Sequence, residues 1–284
     1  PGINHDKKRR ISMTIGKLFA TALTVLSLSA PAMAAQQVVI NGSTTVLPVV
    51  QKAGESFMAS HPDVELSISG GGSGNGIKAL IEKQCDIAMS SRDIKDKETD
   101  AAKKNGVTPN RITIAVDAIV PVVNPANTVA ALTSAQLRDI YNGKITNWKE
   151  VGGADGKIVV ISRDTSSGTF ECWQELIMKE ERVSPAALMQ ASSGAVVQTI
   201  SKNKNAIGYV GLGYMDKSTK GLKVNDVTAS AQTALSKQWP IARELFVFTN
   251  GAPAGGAKAF VEYLLDPGKG QKDVLEVGYV PLGK

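Results

Sequence analysis

The stretch Ser162–Trp173, SRDTSSGTFECW, sets one arginine ahead of a run of small hydroxylated residues and a glycine, where a helical pattern begins. The first N–H groups of a helix have no partner in the helix and attract anions. Serine and threonine add donors, and a guanidinium adds a planar fork that fits two oxyanion oxygens at once. Arg163, followed four to six residues later by Ser167, Gly168 and Thr169, has the chemistry to hold a small oxyanion. The same construction recurs in NGSTTV, carrying Ser43, Thr44 and Thr45, and in SGGGSGNG, carrying Ser73. A fourth polar turn, MSSRD, follows a strand-like run and supplies Ser91, Arg92 and Asp93. Ligands of α/β proteins gather at the carboxyl ends of strands, where such turns lie. With Arg92 and Arg163 added, these turns together predict an anion site.

Reactions on an anion are less well served. A P-loop needs Gly-Lys-Ser/Thr after its glycines, but GGGSGNGIK sets Ile77 between Gly76 and Lys78, and no G-x-G-x-x-G frame fits there. Ser166, Ser167 or Thr169 could attack only with an activating base. Beyond the leader the one histidine is His61, in SHPD, which reads as a turn after a helix. There is no G-x-S-x-G elbow, and neither Ser166 nor Ser167 begins an S-x-x-K motif. Asp164 and Glu171 read as helix-capping or arginine-orienting groups. No catalytic residue, cofactor or metal site is therefore assigned, since no cysteine–histidine cluster has ligand spacing. Cys85 and Cys172 read as unpaired thiols.

Elements that would carry these turns are legible around them. A basic segment with Lys17, the apolar run LFATALTVLSLSA and the small residues APAMA describe a secretory signal cut after Ala34, with Met13 as its start. That run is too short to span a membrane, and no cysteine at the cut offers a lipid anchor. Residues 1–34 hold five Lys/Arg and one Asp; removing them from totals of 32 and 26 leaves 27 basic and 25 acidic side chains. The remaining basic residues are scattered, which argues against nucleic acid. Strand-like runs at QVVING, VELSISG, CDIAMSS, RITIAVDAIVPVVN, KIVVISRD, AIGYVGLGYM and ARELFVFTNG alternate with helical patterns, as in an α/β fold. Val46, Val50, Ala53 and Phe57 share one face of the first helix, Thr133 and Gln136 form a capping box for another, and AKAFVEYLLD closes the series.

The order NGSTTVLPVV, SGGGSGNGIKALIEKQCDIAMSSRDI, LTSAQLRDIYNGKITNWKEVGG, SRDTSSGTF, NAIGYVGLGY, PIARELFVF resembles the periplasmic phosphate-binding proteins of the Pst-type ABC uptake system. The resemblance runs unbroken through the chain after the leader. It implies a two-lobed type II periplasmic binding protein fold of class α/β, each lobe a central sheet flanked by helices, with two crossover strands as hinge. Crossings are expected near Asp117–Pro121 and Gly211–Tyr214, giving lobe one as 35–117 plus 212–284 and lobe two as 118–211. It further implies that the chain is not an enzyme but a periplasmic monomer that binds inorganic phosphate and delivers it to the membrane permease of a phosphate ABC transporter. The alternatives are an exported phosphoester hydrolase, or a binding protein for another tetrahedral oxyanion such as sulfate. The implied phosphate ligands are Ser43, Thr44, Thr45, Ser73, Ser91, Arg163, Ser167, Gly168 and Thr169. In well-known members an aspartate stands where this chain has Ser91, aligned through Lys78 and Asp86. A carboxylate there would accept the proton of phosphate and repel sulfate; serine can accept a hydrogen bond but does not repel.

Overall fold

The computed structural model describes residues 35–283; the expected secretory leader lies outside the described residues. The first half of the chain runs β1 (Gln36–Gly42), α1 (Leu47–Ser60), β2 (Val64–Gly70), α2 (Ser73–Ile81), β3 (Ile87–Ser90), α3 (Asp96–Lys104), β4 (Pro109–Val123), β5 (Ala131–Leu132) and α4 (Ser134–Asn142). The second half runs β6 (Val159–Arg163), α5 (Gly168–Trp173), β7 (Leu188–Gln190), α6 (Ser193–Lys202), β8 (Ala206–Gly211), β9 (Lys220–Gly221), β10 (Lys223–Val224), α7 (Ala231–Leu235), β11 (Ala242–Asn250), α8 (Gly255–Leu265) and α9 (Gly270–Glu276). The main sheet has the order β2-β1-β3-β11-β4-β8-β6-β7, with β9 also on β4, and β10 pairs with β5 apart from it.

Local chemistry explains the elements that matter for the site. In α1, Pro48 sits in the first turn, where its missing N–H costs nothing, and Val49, Val50, Ala53 and Phe57 form the buried stripe. The capping box of α4 is present, Thr133 accepting from the Gln136 N–H and Gln136 from that of Thr133, and Gly143 ends the helix in the left-handed region. His61 caps the end of α1 and stacks on Phe57 at 4.1 Å, as its place in a turn implied.

β4 and β11 are long antiparallel partners, and each passes from one apolar core into another. Ile114 and Ala115 of β4, with Leu245 and Val247 of β11, pack with Val38, Ile40, Phe57 and Phe260. One turn of strand away, Ala118, Ile119 and Val123 of β4, with Ile241 before β11, pack with Leu137, Trp148, Trp173 and Tyr209. Two cores joined by a pair of crossing strands make the molecule two-lobed. Leu222, Val224, Ala234 and Trp239 pack in the core that holds Leu137 and Trp148. Backbone pairing is the cause, since β9 lies on Val122 and Val123 of β4 and β10 lies on β5. Ala242 at the start of β11 faces Ala118 of β4 in register.

Candidate functional site

Five helix or turn openings converge between the two cores. The segments ahead of α1 and α2 and the turn after β3 come from one lobe, and those ahead of α5 and α6 from the other. Every residue singled out for the site is buried, Arg163 to 1 % exposure. Thr45 Oγ1 lies 2.8 Å from Thr169 Oγ1, across the divide between the lobes. Ser73 Oγ accepts the Ser91 N–H at 3.0 Å, and the two hydroxyls are 3.3 Å apart. Ser43 and Ser167 are turned toward their own helices: Ser43 Oγ accepts from the Thr45 N–H at 3.2 Å, and Ser167 Oγ from the Phe170 N–H at 3.2 Å. Capping of this kind uses an oxygen lone pair and leaves the hydroxyl proton free to donate.

Arg163 stands at the end of β6, whose partners on either side are β8 and β7. Its Nε donates to Gln190 O at 2.9 Å, Nη1 to Ser193 Oγ at 3.2 Å, and Nη2 to Ala191 O at 3.1 Å and Thr44 Oγ1 at 3.3 Å. All these partners are neutral, and among the described residues no carboxylate forms an ion pair with it. Burial pulls its guanidinium below the ordinary value; Tyr209, Asp164 and Tyr214 pull back, and the charge of Arg243 pushes it further down. Tyr209 fixes the strand beneath, its hydroxyl accepting the Arg163 N–H at 3.3 Å while its ring stacks on Trp173 at 4.3 Å.

Glycine is required where the two halves touch. Gly72, ahead of α2, has φ +100°, and a Cβ there would come within 2.8 Å of Ser166 O. A Cβ on Gly168 would run into Ser73 Oγ and reach 2.8 Å from Ser91 Oγ. Gly74 N–H completes this contact by donating to Ser166 O at 2.9 Å.

Three charged neighbours are held by partners outside the hydroxyl cluster or in its turns. Asp164 accepts from the backbone and hydroxyl of Ser166, which shapes the turn into α5. Asp93 points away and pairs with Arg111. Arg92, expected beside Arg163 in the anion site, instead forks onto Glu98 with both bonds at 2.8 Å and lies 2.7 Å from Glu171. Carboxylates on α3 and α5 outcompete the site for it.

Sequence reasoning missed four participants. Ser193 opens α6 in the run ASSGAVV, the same hydroxyl–glycine signal as the other turns, and its N–H donates to Thr44 Oγ1 at 3.3 Å. Tyr214 and Tyr279 hold the first turn from behind by donating to the carbonyls of Thr44 and Thr45. Arg243 reaches the floor of the site, donating from Nη2 to Thr169 Oγ1 at 3.0 Å and from Nη1 to Ser91 O at 3.2 Å; no local motif marks it. Cys85 and Cys172 are free thiols; burial, with Asp86 nearby, pushes Cys85 up to about 12. Among the described residues no group of three or more His, Cys, Asp or Glu is placed to hold a metal ion.

Two crossing strands, paired lobes and hydroxyl-lined helix openings define a solute-binding fold, and residues 29–267 match the model of the PBP superfamily domain. The phosphate-binding protein PstS of Staphylococcus epidermidis is 31% identical over 254 residues, covering 84% of this chain and 77% of its own length. A phosphate ABC transporter substrate-binding protein of Clostridium perfringens, solved with bound phosphate, shares 34% identity and a TM-score of 0.82 over 87% of this chain and 100% of its own. An ABC-type phosphate transport receptor of Vibrio cholerae shares 31% identity and a TM-score of 0.70 over 86% of this chain and 100% of its own. The chain belongs to the PBP superfamily and, within it, to the family of PstS phosphate-binding proteins.

Proposed function

We propose that this protein binds inorganic phosphate outside the cytoplasm and hands it to the membrane permease of an ABC importer. The observation that carries the reading is Arg163: a buried cation whose hydrogen-bond partners are all neutral, at the meeting point of five hydroxyl-bearing turns. A charge buried without a counterion is costly, and a bound oxyanion relieves that cost. Ser43, Thr44, Thr45, Ser73, Ser91, Arg163, Ser167, Gly168 and Thr169 are the proposed ligands, the glycine through its N–H and the rest chiefly through side-chain donors. Ser193 joins them.

One lobe is 35–117 with 242–283 and the other 118–241, and ligand entry requires that they part. Contacts such as Thr45–Thr169 and Gly74–Ser166 then re-form on closing. Binding rather than turnover is favoured because, among the described residues, no histidine contacts Ser166, Ser167 or Thr169, and Asp164 takes both the N–H and the hydroxyl of Ser166 in shaping the turn into α5. The secretory leader read in residues 1–34 supports a periplasmic receptor.

Calorimetric titration with inorganic phosphate, alone and with excess sulfate, tests the reading, with one phosphate bound per chain expected. A protein that takes up no phosphate would overturn it. Steady release of product from a chromogenic phosphate ester would favour the hydrolase alternative.

A further inference from the structure

Asp117 and Arg243 are directly opposite each other on the two crossing strands, in register on β4 and β11. Arg243 Nε and Nη2 donate to Asp117 Oδ2 at 3.0 and 2.9 Å, and the other carboxylate oxygen accepts the Leu212 N–H at 2.9 Å. The Asp117 side chain is 0 % exposed and that of Arg243 5 %. Nothing about a hinge demands an ion pair, since apolar residues of similar size serve as well or better in a core.

The far edge of the guanidinium explains why it is there. Nη2 faces Thr169 Oγ1 at 3.0 Å and Thr45 Oγ1 at 3.5 Å, one hydroxyl from each lobe. A guanidinium has five donors and no acceptor. Both hydroxyls must therefore turn lone pairs toward Arg243; at 2.8 Å one donates to the other, which leaves one proton of the pair free to point into the site. Asp117 is fully engaged behind the arginine, so it supports the cation without presenting an oxygen to the cleft. With Arg163 unpaired and Arg243 paired to one carboxylate, the buried site carries two positive charges against one negative.

We propose that Arg243, held by Asp117, is the second cation of the anion site and a positioning residue that turns the free hydroxyl proton of the Thr45–Thr169 pair toward the bound anion. Because it lies on a crossing strand, it reaches both lobes only when they are closed, and so couples anion charge to closure. The proposal rests on the phosphate reading above. The other charged or titratable groups around Arg243 are Cys172 on α5, Tyr279 near the carboxyl end and Arg163 on β6. Burial draws Arg243 down, but Asp117, Cys172 and Tyr279 hold it above its ordinary value, so it stays charged.

The test compares the wild type with Arg243→Lys, Arg243→Gln and the charge-neutral pair Asp117→Asn/Arg243→Gln. Inorganic phosphate is titrated calorimetrically at about pH 5.5, where it is mostly a monoanion, and at about pH 8.5, where it is a dianion. Melting temperatures without phosphate are recorded alongside. Arg243→Gln and the double variant are expected to lose at least about tenfold in affinity at the higher pH, roughly 1.4 kcal/mol, and less at the lower. Arg243→Lys, which keeps the charge, should lose less than Arg243→Gln. Affinity within about twofold of wild type in the double variant would overturn the proposal. So would an equal loss at both pH values, or a lysine variant as weak as the glutamine one, because each means that the anion does not feel this charge. A wild type that binds no phosphate would instead remove the phosphate reading itself, before any variant is compared.

Discussion

Glu171, on the first turns of α5, meets Arg92, in the turn after β3, with Oε2 2.7 Å from Nε. Lys95 Nζ reaches the same carboxylate oxygen at 2.6 Å, so two cations of one lobe hold an acid of the other. The contact lies beside the anion site but uses none of its ligands. It favours the closed arrangement whether or not an anion is bound.

Glu171→Gln should therefore weaken phosphate binding by about 1–2 kcal/mol, the scale for a partly buried hydrogen bond to a charged group. No ligand is altered; the loss comes from a smaller closed population. Small-angle scattering should show a larger radius for the unliganded variant than for the wild type. Unchanged affinity and unchanged radius would show that the pair does not bias closure.

The Arg92–Glu98 side of this cluster gives an acid dependence with a defined sign. Burial alone would raise the Glu98 carboxyl, but the hydrogen bonds from Arg92 and the Lys95 N–H and the Arg92 charge bring it below its ordinary 4.5. A depressed carboxylate stabilises the fold above its unfolded value, and the contribution fades as pH falls through the folded one. The melting temperature of Glu98→Gln should lie below that of wild type at pH 7, with the gap narrowing once the pH drops under 4.5. A gap that stays constant down to about pH 2 would contradict the linkage.

Gly168→Ala is expected to impair closure without harming the separate lobes. Alanine suits a helix start better than glycine does, yet its methyl would collide with the hydroxyls of Ser73 and Ser91. Phosphate affinity should fall by at least about tenfold, or 1.4 kcal/mol, while the melting temperature without ligand holds or rises. Full affinity in the variant would mean that the two turns do not approach this closely around the anion.

Arg163→Met should cost about 2–5 kcal/mol of phosphate binding, the range for breaking a buried charge-assisted contact. Arg163→Lys should also lose affinity, because an ammonium cannot satisfy Gln190 O, Ala191 O, Ser193 and Thr44 together. Calorimetry decides this directly, and an unaltered Met variant would take Arg163 out of the site.

Selectivity follows from where the carboxylates go. Asp93 is held by Arg111, Asp164 by Ser166, Glu171 by Arg92 and Lys95, and Asp117 by Arg243. Ser91 is thus left as a hydroxyl beside Ser73, and among the described residues no carboxylate hydrogen-bonds to it. Sulfate should compete with phosphate more effectively here than in relatives that carry an aspartate at that position, since repulsion of an unprotonated dianion is missing. Competition titration gives the answer. If a thousandfold excess of sulfate fails to displace phosphate, about 4 kcal/mol of discrimination comes from another acceptor.

What the chain determines by itself is local. The turns at Ser43–Thr45, Ser73 and Ser167–Thr169, the capping box of α4, the apolar stripe of α1 and the long strand through Asp117 all follow from propensity, periodicity and capping, which act within a few residues. Arg163 was legible because its partners in the motif stand four to six residues away. Ser193 carried the same signal and could have been read from ASSGAVV. Pairing over long separations was decided only in three dimensions. Arg243 is 126 residues from Asp117 and 74 from Thr169, and only the register of β11 on β4 sets it under the site. Arg92 sits in a turn that looks ready for an anion, but Coulomb attraction to Glu98 and Glu171 claims it once α3 and α5 are packed. Residues 220–241 pack beside Leu137 and Trp148 because edge pairing with β4 and β5 and the burial of Trp239 favour that core, and neither partner is near them in sequence. Short-range chemistry made the hydroxyl turns; the tertiary fold chose which charges face one another across them.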